Sequence, residues 1–154
     1  MSDLTLIIPA KNEKESLPRV LDELEKFNFK KNILLEVSDN LTVDAIKNYE
    51  CNVIYQDSKG YGDALKKGIE TVDTEFFCIF NADGSFNPNE LHHMINKLKD
   101  DKCDFVFASR YEKNCGSEDD TFITLIGNYI FTFLGKFFFK LKITDILYTY
   151  VMAR

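Results

Sequence analysis

The four cysteines, Cys51, Cys78, Cys103 and Cys115, form no Cys-x-x-Cys pair, so neither a zinc site nor a disulfide framework is suggested and a reducing cytoplasm is the simplest home. Positive charge is in deficit. Nineteen basic against 25 acidic residues leave a net charge of −6, which disfavours general attraction to nucleic-acid phosphates. With only three prolines and seven glycines there is no composition for a long disordered linker. No charged-then-apolar leader precedes the first strand-like run, because Leu4 to Ile8 leads directly into Pro9, and no signal peptide is expected. An unbroken hydrophobic run is missing too. The most apolar region, Phe122 to Phe139, is interrupted by Gly127, Asn128, Gly135 and Lys136, whereas a spanning helix wants about 20 mostly apolar residues. The two histidines, His92 and His93, have no Cys, Asp or Glu at metal-ligand spacing around them and are assigned no role.

What is present is an ordinary core-forming composition, 45% hydrophobic and 29% charged over 154 residues, which predicts a single domain. Leu4 to Ile8 and Ile33 to Val37 are apolar runs of strand length. Between them Leu17, Val20, Leu21, Leu24 and Phe27 recur at helical spacing, with Ser16 as N-cap and Pro18 in the first turn. Val53 to Tyr55 predicts a third strand. A helix face of Ala64, Leu65, Gly68, Ile69 and Val72 follows, in which Gly68 allows close helix–sheet contact, and then a fourth strand at Phe76 to Phe80. Asn87-Pro88-Asn89-Glu90 combines an N-cap, a proline at the first helical position and a reciprocal acid ahead of Leu91, Met94, Ile95 and Leu98. Phe105 to Ala108 is the fifth strand. Strand and helix thus alternate, the pattern of an α/β fold with a mostly parallel, doubly wound sheet.

Three loops fall at strand ends: Pro9-Ala10-Lys11-Asn12-Glu13, Ser38-Asp39-Asn40 and Asn81-Ala82-Asp83-Gly84. In open α/β sheets the crevice beyond the carboxyl ends of the strands is the usual ligand site, which makes Asp83 the best single clue to chemistry. Asp-Gly is equally common turn chemistry, so a plain turn is the competing reading.

Read in order, Ile7-Ile8-Pro9-Ala10-Lys11-Asn12-Glu13, Gly60-Tyr61-Gly62-Asp63-Ala64-Leu65, Asn81-Ala82-Asp83-Gly84-Ser85-Phe86 and Ala108-Ser109-Arg110-Tyr111 resemble family-two glycosyltransferases, most closely the polyprenyl- and dolichyl-phosphate sugar transferases. The resemblance runs from about Leu4 to Arg154. It implies a GT-A fold with a donor nucleotide-binding part over 1–111 and the start of an acceptor part over 112–154. It also implies a nucleotide-diphospho-sugar donor, transfer with inversion, and Mg²⁺ or Mn²⁺ bridging the diphosphate to Asp83. Members of the family continue beyond the position of Arg154, so a short product or a fragment is expected.

The resemblance places Pro9, Ala10, Asn12, Glu13 and Asp39 around the nucleotide, with Asp39 accepting from base or ribose and Glu13 from ribose hydroxyls. Lys59 and Gly60 put backbone amides near phosphate, or else only make a turn. Asn81 and Ala82 complete the loop around Asp83, although Asn81 stands where the family's Asp-x-Asp motif has its first acid. The Gly and Ser that follow Asp39 in the family are also replaced, here by Leu41 and Thr42. Arg110 matches an arginine that binds the acceptor phosphate, and Asp145 an acidic position near the reaction centre that orients the acceptor or receives a proton. A second basic residue around Thr121 to Thr124 is missing. The Phe-rich stretch Ile130 to Phe139, with Lys136 and Lys140, suits a peripheral place at a membrane surface, a core, or a homo-oligomer interface. The competing function is a non-catalytic GT-A-like binding or interaction module, motivated by Asn81 and the early end. A sugar-nucleotide-forming nucleotidyltransferase is disfavoured, because a Gly-rich loop bearing Arg and Lys is absent after the first strand.

Overall fold

The computed structural model describes residues 3–111 and 122–154. Cys115 lies outside them, and so does Thr121, the first residue of the segment Thr121 to Thr124 in which a second basic residue was sought. Eleven elements follow one another among the described residues: β1 (Leu4–Pro9), α1 (Ser16–Leu24), β2 (Lys30–Leu35), α2 (Asn40–Ile46), β3 (Asn52–Tyr55), α3 (Tyr61–Glu70), β4 (Phe76–Ile79), α4 (Glu90–Asp100), β5 (Phe105–Phe107), α5 (Phe122–Phe139) and β6 (Val151–Ala153). The sheet order is β3-β2-β1-β4-β6-β5. β1 runs parallel to β2, from Thr5 opposite Lys30 to Pro9 opposite Leu34, and parallel to β4, from Leu4 opposite Phe76 to Ile7 opposite Ile79. β3 adds parallel to β2. Hydrogen bonds from the Ala108 N–H to the Tyr150 carbonyl and from the Arg154 N–H to the Asp104 carbonyl make β5 and β6 antiparallel. The expected α/β fold with a mostly parallel sheet is what the chain forms.

Two compact units divide the chain: Met1–Val106 with Met152–Arg154, and Phe107–Val151. In the first, the central strand β1 is buried on both faces, as an apolar parallel strand should be: Leu4, Leu6, Ile7 and Ile8 are inaccessible. The predicted helix stripes bury as their spacing requires, Leu17, Val20, Leu21 and Leu24 on α1 and Leu91, Met94, Ile95 and Leu98 on α4. On α3 only part of the expected face is inside, and Ile69 is 45% exposed. Gly68 does lie against the sheet, since a Cβ there would stand 2.4 Å from the Ile7 Cγ2.

Three local expectations are corrected. Ser16 lies inside α1 rather than capping it, because the Leu17 N–H already bonds the Glu13 carbonyl at 2.9 Å and starts the turn earlier. Regular α4 begins at Glu90, not Pro88. The Glu90 and Leu91 N–H groups reach back three residues, to the Asn87 and Pro88 carbonyls, while Asn87 Oδ1 accepts the Asn89 N–H at 3.0 Å. β2 starts and ends earlier than the apolar run Ile33 to Val37, with Val37 69% exposed.

Candidate active site

Strand order locates the crevice. From β1 the chain winds outward through β2 to β3, then crosses to the other side of β1 to form β4, so the direction of winding reverses between β1 and β4. At such a switch point the loops leaving the carboxyl ends of the two strands diverge to opposite faces and open a cleft. Those loops are Pro9–Glu13 and Phe80–Phe86.

Asp39 ties the β1 loop to the β2 loop. Its Oδ2 accepts the Asn12 N–H at 2.7 Å and its Oδ1 accepts the Thr42 N–H at 3.2 Å, which also makes it the N-cap of α2. Asn12 holds a φ of 60°, a left-handed conformation that Asn adopts more readily than most residues. Next to it the Glu13 N–H donates to the Thr42 Oγ1 at 3.1 Å, and the Glu13 carboxylate accepts from the Ser16 hydroxyl. Burial pushes the Asp39 carboxyl up, but the donors from Asn12 and Thr42 and the charge of Lys11 outweigh it and hold it below the ordinary carboxylate value. Asp39 is therefore an anion at neutral pH. Lys11 is paired with Glu36 at 2.9 Å, Pro9 is half-buried at the end of β1, and Ala10 is buried with its N–H on the Leu34 carbonyl at 2.9 Å.

Across the switch point, Asp83 is exposed and its Oδ1 accepts the Ser85 N–H at 2.9 Å. Gly84 between them has a φ of 84°, which a side chain would disfavour. Asn81 donates its amide to the Ser85 Oγ at 3.1 Å, so it braces the turn, and Ala82 is buried beneath it. The turn reading of Asp83 is realised and leaves the ligand reading intact, since Oδ2 accepts no hydrogen bond from the described residues. Lys59 and Gly60 are exposed beyond β3. Gly60 opens α3 with a φ of 110°, and the Asp63 carboxylate takes the Ser58 N–H at 2.8 Å.

Arg110 and Asp145 meet in the second unit. The Arg110 Nε donates to the Asp145 Oδ2 at 2.8 Å and Nη2 to Oδ1 at 3.1 Å, a bidentate pair, and the Arg110 backbone N–H adds 3.3 Å to Oδ2. Asn128 of α5 supplies a fourth donor to Oδ1 at 2.7 Å. Burial raises the Asp145 carboxyl, yet these donors prevail and keep it below the usual range. With both oxygens twice engaged, it is a poor proton acceptor and a strong organiser. The guanidinium stands 5.4 and 5.1 Å from the ring centres of Tyr111 and Tyr148. Tyr111 also borders a cavity of about 560 Å³ whose wall is mostly apolar: Leu125, Ile126, Tyr129 and Phe133, with Lys136 and Thr144 at its polar points.

Sequence reading missed Thr42, Asn128 and Thr132, all buried. Their signals were present: Thr42 sits three residues after Asp39, where a capped helix places a partner, and Asn128-x-x-x-Thr132 is a polar pair one turn apart within an apolar helix. Among the described residues no group of three His, Cys, Asp or Glu forms a ready-made metal cage. An exposed single carboxylate such as Asp83 nonetheless fits Mg²⁺ or Mn²⁺, which take one or two protein carboxylates and complete their shell from phosphate oxygens and water.

A family model described as glycosyl transferase family 2 matches residues 5–154. Among curated proteins the chain is similar to an uncharacterized glycosyltransferase of Mycobacterium tuberculosis, 27% identical over 107 residues, which cover 70% of this chain and 48% of that one. Among solved structures it resembles mannosyl-3-phosphoglycerate synthase from Rubrobacter xylanophilus, with a TM-score of 0.77 at 16% identity over 99% of this chain and 53% of that one. It likewise resembles glucosyl-3-phosphoglycerate synthase from Mycobacterium tuberculosis solved with Mn²⁺, UDP-glucose and phosphoglyceric acid, with a TM-score of 0.74 at 14% identity over 99% and 56%. At those identities it is the fold that is shared, and it is the GT-A fold. The chain spans about half the length of each of these three proteins.

Proposed function

The chain belongs to glycosyltransferase family 2, and from that premise we propose that it binds a nucleotide-diphospho-sugar at the switch point and serves transfer of the sugar, with inversion, to a polyprenyl phosphate or a related lipid or glycan acceptor. The observation that carries this reading is the position of Asp39 and Asp83 on loops that leave neighbouring strand ends on the two sides of β1. Asp39 and Glu13 would accept from base and ribose, each with lone pairs beyond those their present donors use. Pro9, Ala10 and Asn12 form the wall beside them, with Lys59, Gly60, Asn81 and Ala82 toward the phosphates. Asp83 would hold the divalent cation, which when bound neutralises the charge developing on the departing diphosphate.

The acceptor side rests on Arg110. A bidentate carboxylate fixes the plane of its guanidinium between two tyrosine rings, and a planar, permanently charged donor group of this kind suits a phosphate. An acceptor phosphate is already anionic near neutrality, and its transfer needs positioning more than a general base. Asp145 therefore acts through Arg110 rather than on a proton. The apolar cavity bordered by Tyr111 suits the hydrocarbon part of such an acceptor. Direct attack by the acceptor oxygen on the anomeric carbon breaks the bond to the diphosphate and inverts the configuration.

The test is calorimetry of UDP, GDP and their sugars with and without Mn²⁺. Mn²⁺-enhanced binding is expected, and Asp83→Ala should lower the Mn²⁺-dependent affinity at least tenfold while leaving the unfolding midpoint in place, because the side chain is exposed. Absence of binding to every nucleotide would overturn the donor reading. Binding without measurable sugar transfer would favour the non-catalytic module, for which Asn81, engaged in bracing its own turn, is the supporting observation.

A further inference from the structure

α5 is built inside out. Its buried stripe is Asn128, Thr132 and Gly135, and on the opposite side Ile126, Ile130, Phe133 and Phe137 face solvent, with Phe133 57% and Phe137 69% exposed. The inner stripe is tied down. The Asn128 Oδ1 accepts the Leu147 N–H at 3.2 Å, Thr132 Oγ1 accepts the Ile146 N–H at 3.2 Å, and at Gly135 a Cβ would press to 2.8 Å from Ile146 Cδ1. A helix held this way cannot turn its apolar side inward. A contiguous exposed face of this kind marks an interaction surface.

Charge selects the occupant. Residues 122–144 carry Lys136, Lys140 and Lys142, all exposed, and no carboxylate, in a chain whose net charge is −6. We propose that the outer face of α5 docks on an anionic bilayer surface, the helix lying in the interfacial plane with its aromatic rings at the acyl boundary and the three lysines over lipid phosphates. Lysine stems reach along apolar surface and deliver the ammonium to the headgroups, and an amphipathic helix with basic and aromatic residues binds membranes in this orientation. Spanning is disfavoured because one side of the helix is committed to Asp145, Ile146 and Leu147, and no helix among the described residues is long and apolar enough to cross a membrane. Pairing with a second copy would bring like-charged lysines together. The inference does not rest on nucleotide binding, so the two readings stand or fall separately.

Co-sedimentation of the purified chain with vesicles tests it. Binding to phosphatidylserine–phosphatidylcholine vesicles should exceed binding to pure phosphatidylcholine vesicles. Substituting Lys136→Gln and Lys140→Gln should weaken it roughly fivefold for each lysine, and Phe137→Ser roughly tenfold, all at exposed positions whose circular dichroism should not change. Equal partitioning onto both vesicle types would overturn the proposal. So would a chain that ignores vesicles, whether sedimentation velocity shows it as a dimer, with a second copy covering the face, or as a monomer.

Discussion

The two compact units solve the burial problem with opposite polarity. In Met1–Val106 with Met152–Arg154, the interior is largely Leu and Ile from β1, β2, α1 and α4 with Phe76 of β4, and the charged residues other than Asp39 stand outside. In Phe107–Val151 a carboxylate, an amide and a hydroxyl, those of Asp145, Asn128 and Thr132, are inside, while Tyr129, Phe133, Phe137 and Phe138 are exposed. A hydrophobic core is non-directional and tolerates sliding. A buried polar hub is directional, and costs a great deal if one member is lost. The first arrangement suits a scaffold that presents loops, and the second suits the exact aiming of one guanidinium.

The largest expected effect comes from breaking that hub. Asp145→Ala would strip Arg110 of a carboxylate that is fully buried, and removal of one partner from such a pair costs about 3 to 5 kcal/mol. Urea unfolding should show the loss, and an Arg110→Ala, Asp145→Ala double variant should recover part of it. Additive losses instead would show that the pair is not coupled. The apolar unit has its own tight point in Gly68. Ala normally stabilises a helix by up to about 1 kcal/mol over Gly, but here the Cβ would meet the branched Ile7 Cγ2 at 2.4 Å and Leu34 Cδ2 at 3.2 Å. Overpacking of this kind costs about 1 to 3 kcal/mol, so Gly68→Ala should lower the unfolding midpoint, and a rise would mean that α3 can lift from the sheet at little cost.

How legible each unit was in the sequence follows from the same contrast. Burial of apolar side chains is periodic, and periodicity is visible in one dimension, so β1, β3, β4, α1 and α4 could be placed from Leu, Ile and Phe spacing alone. Strand ends then gave the loops bearing Asp39 and Asp83. What escaped were elements fixed by distant partners. β6 is only Val151–Ala153, and it pairs with a strand more than 40 residues earlier, for which no local pattern exists. α2 starts at Asn40 because Asp39 caps it, yet the same Asp-Asn pair reads as a turn. The hub was half visible. Arg110 and Asp145 stood out through the family resemblance, but their mutual pairing did not, since nothing in the spacing of two residues 35 positions apart says that they touch.

Within the first unit, Asp39 offers a smaller and pH-sensitive test. Its folded carboxyl is held below the ordinary value, so its contribution to stability is complete above the unfolded pKa of about 3.9 and drains away as pH falls through the lower folded one. Asp39→Asn keeps a capping oxygen but loses the charge, and because a hydrogen bond to a charged group is worth about 1 kcal/mol more than a neutral one it should cost about 1 kcal/mol near neutrality, with the gap from the parent chain narrowing in acid below about pH 4. A gap that stays constant to low pH would mean that shape, not charge, joins the two loops.

The smallest effect should appear on the outside of α5, and it sharpens the contrast most. On α1 the costly substitution is apolar: Leu21→Ala removes a side chain that is 1% exposed, and truncations of that kind cost about 2 to 5 kcal/mol. If polarity is truly reversed in the second unit, Phe137→Ser, which changes a far larger apolar side chain, should move stability by no more than about 0.5 kcal/mol, since Phe137 has little burial to lose. Solubility should rise at the same time, because the exposed apolar face shrinks. A large loss of stability in the isolated chain would show that the ring is already packed, and the helix would then be an ordinary core helix whose cover has to be sought within the chain itself.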